Sequence, residues 1–478
     1  MYSIERANEY IQANKHHVTA TYQPKLHFIP EIGWMNDPNG FVYYKGEYHL
    51  FYQYNPYDSK WDTMHWGHAK SKDLAHWEYL PIALAPDQDY DKNGCFSGSA
   101  LVVDDTLWLM YTGHIVNEDG SISQVQNMAY STDGITFHKI KENPVITGQQ
   151  LPNEISRSDF RDPKLFEKDG KYYAVVATQH LDQVGCVVLI ESENLLDWSF
   201  KSIFLKGEQN QGIVWECPDY FEIDGQSYLI VSPMQYHSEY LDFNNQNSNI
   251  IMQGRVDWQV GKFYPSNLKE IDHGHDFYAA QTTKNANNER VMIAWMHTWG
   301  RPLITDQLQH GWFGSMSLPR ILTVQENQII QKLPESLDNQ FVKVELNEEL
   351  KQPSKIEIDI KETIELKLGT KEDYISFGYD AFRKEVYIDR KNLKYQLIGE
   401  ERNPVLYRGV QIQATHLTAY IDQQSIEIFV NDGQEVLTSV FYIEGPKKGL
   451  FAKIKNLDYN IFVMNAVDKI RKFSMIKM

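Results

Sequence analysis

Three acidic residues stand at matching places in this sequence. Asp37 lies in WMNDPNG (34–40), Asp162 in FRDP (160–163) and Glu216 in ECPD (216–219). A lone Asp-Pro or Glu-Cys-Pro carries little information. Here each block opens a similar β-rich stretch, so the three acids occupy equivalent positions of a repeat. Carboxyl groups brought together in this way can break a glycosidic bond. One ionised carboxylate attacks the anomeric carbon and one protonated carboxyl gives its proton to the departing oxygen. A third carboxylate, bound to ring hydroxyls, steadies the oxocarbenium-like transition state. Crowding raises carboxyl pKa values and helps keep an acid protonated near neutral pH. Arg161, beside Asp162, can hold that carboxylate ionised or donate to a sugar hydroxyl. DPNG is also a strong β-turn signal, which predicts that a turn aims the Asp37 carboxylate.

The elements that must position these acids show in the repeat itself. DPNGFVYYKGEYHLFYQY (37–54), DPKLFEKDGKYYAVVATQ (162–179) and CPDYFEIDGQSYLIVSPM (217–234) each read as two β-rich runs around a two-residue turn. Weaker copies begin at Ser97 and Asp276. The five starts at 37, 97, 162, 217 and 276 leave room for four short strands apiece, which predicts an all-β fold with a five-bladed β-propeller. SKDLAHWEYLPIAL (71–84), STDGITFHKIKENPVI (131–146) and SENLLDWSFKSIFL (192–205) supply outer strands of the first three blades. The first strand of each blade lines the central channel, so corresponding strand ends converge. Asp37 and Glu216, from non-adjacent blades, are expected to face each other across its mouth. After about residue 325 the period is lost, and alternating segments such as KIEIDI and SIEIFV predict an antiparallel sandwich. The expected domains are 1–334, a propeller preceded by a short helix, and 335–478, the sandwich.

Composition narrows the partners. The 478 residues carry a formal charge of −18, which disfavours nucleic acid and anionic membranes. Aromatic residues reach 13%, as suits sugar-stacking surfaces, although β-strands also favour Tyr and Trp. Cys95, Cys186 and Cys217 are odd in number and widely spaced, so neither a disulfide framework nor a metal-type pair is indicated. MYSIERANEYIQANKHHV lacks the apolar core of a signal peptide, and no apolar run of about 18 residues occurs. A cytoplasmic protein acting on a small sugar, with no cofactor, is the expectation.

The three blocks, in this order, resemble the signatures of glycoside hydrolase family 32, the invertases, sucrose-6-phosphate hydrolases, inulinases and levanases. The resemblance spans nearly the whole chain, and SIEIFVNDG (425–433) is similar to a strand of that family's C-terminal sandwich. It implies a five-bladed propeller with a β-sandwich and a retaining β-fructofuranosidase that works through a covalent fructosyl-enzyme. It also implies roles: Asp37 as nucleophile, Glu216 as general acid/base, Asp162 as transition-state stabiliser, and Arg161 as the arginine of the FRDP block. Asn36, Gln53, Trp61, Phe96, Ser97 and Trp295 match sugar-contacting positions. Sucrose 6-phosphate or sucrose is the implied substrate for a chain without an export signal, with fructans as the alternative.

Other features fit less well. HWGH (65–68) and HGHD (273–276) hint at metal ligands, but no Cys or carboxylate set completes a site, and structural or sugar hydrogen bonding explains them. Cys217 reads either as a small buried residue or as a weak hydrogen bond tuning Glu216. STDGITF (131–137) is similar to the Asp-box turn of sialidase propellers, which would need an arginine cluster and a Tyr nucleophile. An inverting arabinanase-type enzyme would hold its carboxyl pair about 6.5–9.5 Å apart rather than about 5–5.5 Å, and WMNDPNG speaks against it. A non-catalytic sugar-binding propeller would have no need of three aligned acids.

Overall fold

The computed structural model describes residues 2–236, 241–345, 350, 352–399, 405–445, 449–452, 459–464 and 471–473. Residues 1 and 474–478, which close the two domains expected from the sequence, lie outside the described residues. The fold is mostly β. A helix, Ile4–Asn14, comes first, with the Ser3 hydroxyl accepting from Arg6 N at its start. Between Gly33 and Lys332 the chain forms five sheets whose successive strands pair antiparallel, and the first sheet gains two parallel edge strands, Trp312–Phe313 and Arg471–Phe473. Their first strands are Gly33–Tyr44, Cys95–Val103, Ile155–Lys168, Gln211–Ile223 and Tyr278–Lys284.

Local chemistry explains the hairpins. Lys45-Gly46, Asp169-Gly170 and Asp224-Gly225 all take positive φ, the two-residue turn whose twist matches that of the flanking strands. A second device recurs between the third and fourth strands of the first three sheets. The Ser71, Ser131 and Ser192 hydroxyls accept from Leu74 N, Gly134 N and Asn194 N. Asp73, Asp133 and Asn194 then accept two further backbone N–H groups each. Trp77, Phe137 and Trp198 follow and are buried.

The DPNG segment differs from its sequence reading. It does not turn the chain; it lies inside the strand Gly33–Tyr44, with register shifts between Met35 and Pro38 and between Asn39 and Val42. A bulge tolerates a residue without an N–H, and Gly40, at φ 52°, takes a conformation that glycine adopts at little cost. The other first strands bulge at the same level, between Phe96 and Gly98, Arg161 and Lys164, Glu216 and Asp219, and Tyr278 and Gln281.

Hydrogen bonds join the first strands in a closed cycle. Ser97 Oγ donates to Asp37, Leu165 N to Ser99 Oγ, Cys217 N to Asp162, Thr282 N to Asp219, and Phe41 N to Gln281 Oε1. Lys164, nearly fully buried, bonds Asp219 at 2.7 Å and donates to Thr282 O at 2.6 Å.

Two further sheets follow from Phe341, one of six strands and one of five, packed around Ile358, Phe377, Ile388 and Ile428. Buried charge ties them to the earlier sheets. Arg320 reaches Asp272 at 2.9 Å and Glu427 at 2.6 Å, and Asp276 takes both Arg301 and Arg390 at 2.6 Å. His275 bonds Ser439, and His273 bonds Glu435, so HGHD serves this junction.

His27 stands between Asp422 (2.9 Å) and Glu427 (3.0 Å), with no exposed side-chain surface. Burial opposes its charge, but the two carboxylates win and lift its pKa to about 9. A pKa raised in the folded state contributes stability that is complete below the unfolded value near 6.5 and is lost as pH rises through 9. Thermal denaturation should therefore show a midpoint that declines between those pH values. His27→Ala, which takes the cation from buried Asp422 while Glu427 keeps Arg320, should cost about 3–5 kcal/mol at neutral pH. It should also flatten the decline, the remainder coming from His273, whose pKa Glu270 and Glu435 raise against burial.

Candidate active site

The bulges set one short stretch of four of the five first strands at a common mouth. Asn36-Asp37, Phe96-Ser97, Arg161-Asp162 and Glu216 line a cavity of about 460 Å³. Asp162 and Cys217 sit at positive φ, 61° and 48°, which turns the local backbone away from regular pleating. Gln53 and Trp61 complete one side. Trp61 is 46% exposed at the rim, and Gln53 is buried with its Nε2 donating to Cys95 O.

Asp37 is 8% exposed. Its Oδ2 accepts from Ser97 Oγ at 2.8 Å, and Cys217 Sγ lies 3.5 Å away; Oδ1 has no hydrogen-bond partner among the described residues. Burial, and then the Glu216 charge, lift its pKa to about 6, with the Ser97 hydroxyl opposing. Asp162 Oδ2 accepts from Cys217 N at 3.0 Å. Burial raises the Asp162 pKa to about 7 against the pull of Arg161. Glu216 is held on both oxygens. Arg161 donates to Oε1 through Nε (3.2 Å) and Nη2 (3.1 Å), and the Tyr278 hydroxyl lies 2.6 Å from Oε2. Arg161 Nη1 also donates to Asp159 Oδ1 at 3.0 Å, and its Nε is 4.0 Å from Asp162.

Of the two readings of Cys217 from the sequence, the small buried residue is the one found. Its thiol reaches Asp37 and Asp162 (3.7 Å) rather than Glu216. Burial pushes the thiol pKa far up, so it stays neutral and acts only as a weak donor.

Trp295 does not line the cavity. It is fully buried behind the wall, 5.9 Å from Trp34 and 5.0 Å from Trp299 between ring centroids. Its strand, Arg290–Trp295, contributes no residue to the lining of the mouth. Trp299, four residues on, takes the wall position. Other wall residues carried no separate signal: His114, Gln124 and Asp159. The His114 ring stacks on Phe96 at 4.2 Å and 5°, and burial lowers its pKa to about 4, so it presents a neutral face. Tyr278 also went unread. It stands directly before the bulge of the fifth first strand, where Arg161 and Glu216 stand in theirs, and that register is the signal that finds it.

Metal chemistry finds little support here. The HWGH histidines sit in packed surroundings, His68 stacked on Phe51 and bonded to His49, and His65 bonded to Thr63 O. Among the described residues one group, Asp242, Glu270 and His273, has ligand atoms within 4.8 Å. Arg408, 2.8 Å from Glu270, already supplies the positive charge there. That cluster lies outside the acidic mouth.

Comparison with known proteins adds to the geometry. Residues 27–333 match the glycosyl hydrolases family 32 N-terminal domain, and residues 321–462 match the glycosyl hydrolases family 32 C terminal domain. A sucrose-6-phosphate hydrolase of Zymomonas mobilis is 34% identical over 463 residues, covering 88% of this chain and 86% of that protein. One of Escherichia coli is 33% identical over 449 residues, covering 90% and 91%. Among solved structures, a GH32 beta-fructofuranosidase of Bombyx mori superposes with a TM-score of 0.86 at 30% identity, with 98% of each chain covered. With both domains matched and this level of identity along the chain, the protein belongs to glycosyl hydrolase family 32.

Proposed function

We propose that this protein is a retaining β-fructofuranosidase that hydrolyses sucrose 6-phosphate and sucrose in the cytoplasm, through a covalent fructosyl-enzyme. The supporting fold reading is a five-bladed propeller over residues 1–334 with a β-sandwich from 335. The five consecutive sheets and their cyclic hydrogen bonding favour it. The observation that carries the proposal is the convergence of Asp37, Asp162 and Glu216 on one mouth, each in a different electrostatic setting.

Asp37 is the nucleophile. With a pKa near 6 it is mostly ionised at neutral pH, and its Oδ1 has no hydrogen-bond partner within ordinary distance among the described residues. The carboxylate attacks the anomeric carbon, the bond to the leaving oxygen breaks, and that oxygen takes the proton of Glu216. Glu216 then removes a proton from water, which attacks the fructosyl ester and restores the Asp37 carboxylate with overall retention. Asp162, aimed by the Cys217 N–H, binds ring hydroxyls while positive charge develops. Arg161 and Tyr278 hold the Glu216 carboxyl in line with the bond that breaks. Trp61, Phe96 and Trp299 offer ring faces to the sugar, and Asn36, Gln53 and Ser97 offer polar edges. Relatives named sucrose-6-phosphate hydrolase, and a Bombyx mori enzyme solved in complex with sucrose, support this substrate class. The three cysteines are buried and unpaired, as suits a reducing compartment.

The acid role of Glu216 is tested with the leaving group. Glu216→Gln should lose about 10²–10⁴-fold in kcat on sucrose, and far less on a fructoside whose leaving group departs without a proton. An equal loss on both would remove Glu216 from the acid role. The pH profile tests Asp37. Attack needs its ionised form, so kcat/KM should fall on the acid side, about tenfold per unit below pH 6. Ser97→Ala, which deletes the hydroxyl donor to that carboxylate, should move the acid limb upward. An unmoved limb would assign the profile to another group.

A further inference from the structure

A second concave surface lies on the five-stranded outer sheet of the C-terminal domain. It is a furrow of about 520 Å³, within the range of about 300–1,000 Å³ seen for small-molecule sites. All of its walls come from residues 363–407, so none belongs to the strands that carry the three acids. Strand alternation makes the furrow: Ile375, Phe377, Val386 and Ile388 point into the core, while Tyr374, Ser376, Tyr387 and Asp389 point out.

Tyr387 sits at its centre. Its two cross-strand neighbours are glycines, Gly378 on one side and Gly409 on the other, so no side chain flanks the ring directly. Tyr407 lies nearly parallel to it, 5.4 Å between centroids at 13°, and is fixed at its far end by a hydrogen bond from its hydroxyl to the buried Glu385. Tyr374 adds a third ring, with Lys367 Nζ 4.6 Å from its centroid.

Each cation around these rings is paired with an acid. Lys391 pairs with Asp389 at 2.6 Å, Lys367 with Glu365 at 3.4 Å, and Arg383 with Asp380 at 3.9 Å. The lining carries three cations and three acids, each cation beside an acid, and the buried Glu385 at the Tyr407 hydroxyl is a fourth acid, so no surplus positive charge is there to attract a phosphate or a nucleic acid. Among the described residues no aliphatic side chain lines the furrow, which disfavours an apolar peptide. Flat aromatic faces bordered by neutral, paired hydrogen-bonding groups complement one chemistry best: sugar rings with apolar C–H faces and a hydroxyl rim.

We propose that this furrow is a second, non-catalytic binding site for an uncharged oligosaccharide, with Tyr387 and Tyr407 as its stacking platform. The site is independent of the acidic mouth and of the reaction assigned to it.

The test uses the full chain carrying Asp37→Asn and calorimetric titration with raffinose. Two binding events per chain are expected. Adding Tyr387→Ala should remove one, weakening it at least about tenfold, the equivalent of 1.4 kcal/mol; Tyr387→Phe, which keeps the ring, should retain both. The Tyr387→Ala change in an otherwise unaltered chain should leave kcat/KM on sucrose within about twofold, separating loss of the furrow from loss of the fold. Affinity at the furrow should stay level between low and high salt, because no charge is exchanged. A single event in every variant, two events surviving Tyr387→Ala, or binding that falls steeply with salt would overturn the proposal. Consumption of raffinose by the Asp37→Asn chain would count against the nucleophile assignment instead, and the comparison with Tyr387→Ala would still report on the furrow.

Discussion

Arg161 is the charge that lets several carboxylates share one small mouth. Its guanidinium is 3.0 Å from Asp159, 3.1 Å from Glu216 and 4.0 Å from Asp162. Two like charges about 4 Å apart repel by several kcal/mol at the effective dielectric of such a site, so without that cation the acids would protonate or splay. The relief is uneven, and the unevenness matters. Glu216 receives two of the guanidinium's N–H groups, whereas Asp37 receives none and is steadied by neutral donors, the Ser97 hydroxyl, the Asn36 side chain and the Cys217 thiol. Burial and the Glu216 charge then raise the Asp37 pKa to about 6. Chemically similar groups thus sit in different electrostatic settings within one mouth.

Backbone irregularity delivers them there. In a regular strand, neighbouring side chains point to opposite faces. The bulge at the same level of all five first strands breaks that rule and lets consecutive residues, such as Arg161 and Asp162, face one cavity. The cycle of hydrogen bonds below the mouth, with Lys164 and Asp219 inside it, fixes the strands against one another. The C-terminal sheets hold the assembly from outside through Arg320, Arg390 and His27, buried cations that each meet acids.

Much of this was legible in the residues. The Lys-Gly and Asp-Gly turns mark three hairpins because few other pairs accept positive φ twice, and the five repeat starts at 37, 97, 162, 217 and 276 pointed to the five sheets. The three acids stood out because they occupy equivalent repeat positions. Other features had no one-dimensional trace. DPNG looked like a turn because turn chemistry and bulge chemistry use the same residues, and only strand pairing separates them. Trp295 looked like a wall residue because it holds the corresponding place in the fifth repeat, and its burial behind Trp299 comes from packing that the repeat does not encode. Tyr278 was hidden in FYAAQ, a run whose apolar neighbours conceal a hydroxyl aimed at Glu216. The buried ion pairs between domains join residues up to 400 positions apart, as His27 and Glu427 do, and no local pattern announces them.

The central claim is that the Asp37 carboxylate forms a bond to the substrate. It is tested most directly by rapid quench of the enzyme with a fructoside bearing a very good leaving group, followed by peptide mass spectrometry. The account predicts one fructosyl unit attached to Asp37, absent from the Asp37→Asn chain. A fructosyl adduct on Asp162 or Glu216, or no adduct while a burst of leaving group is released, would contradict it.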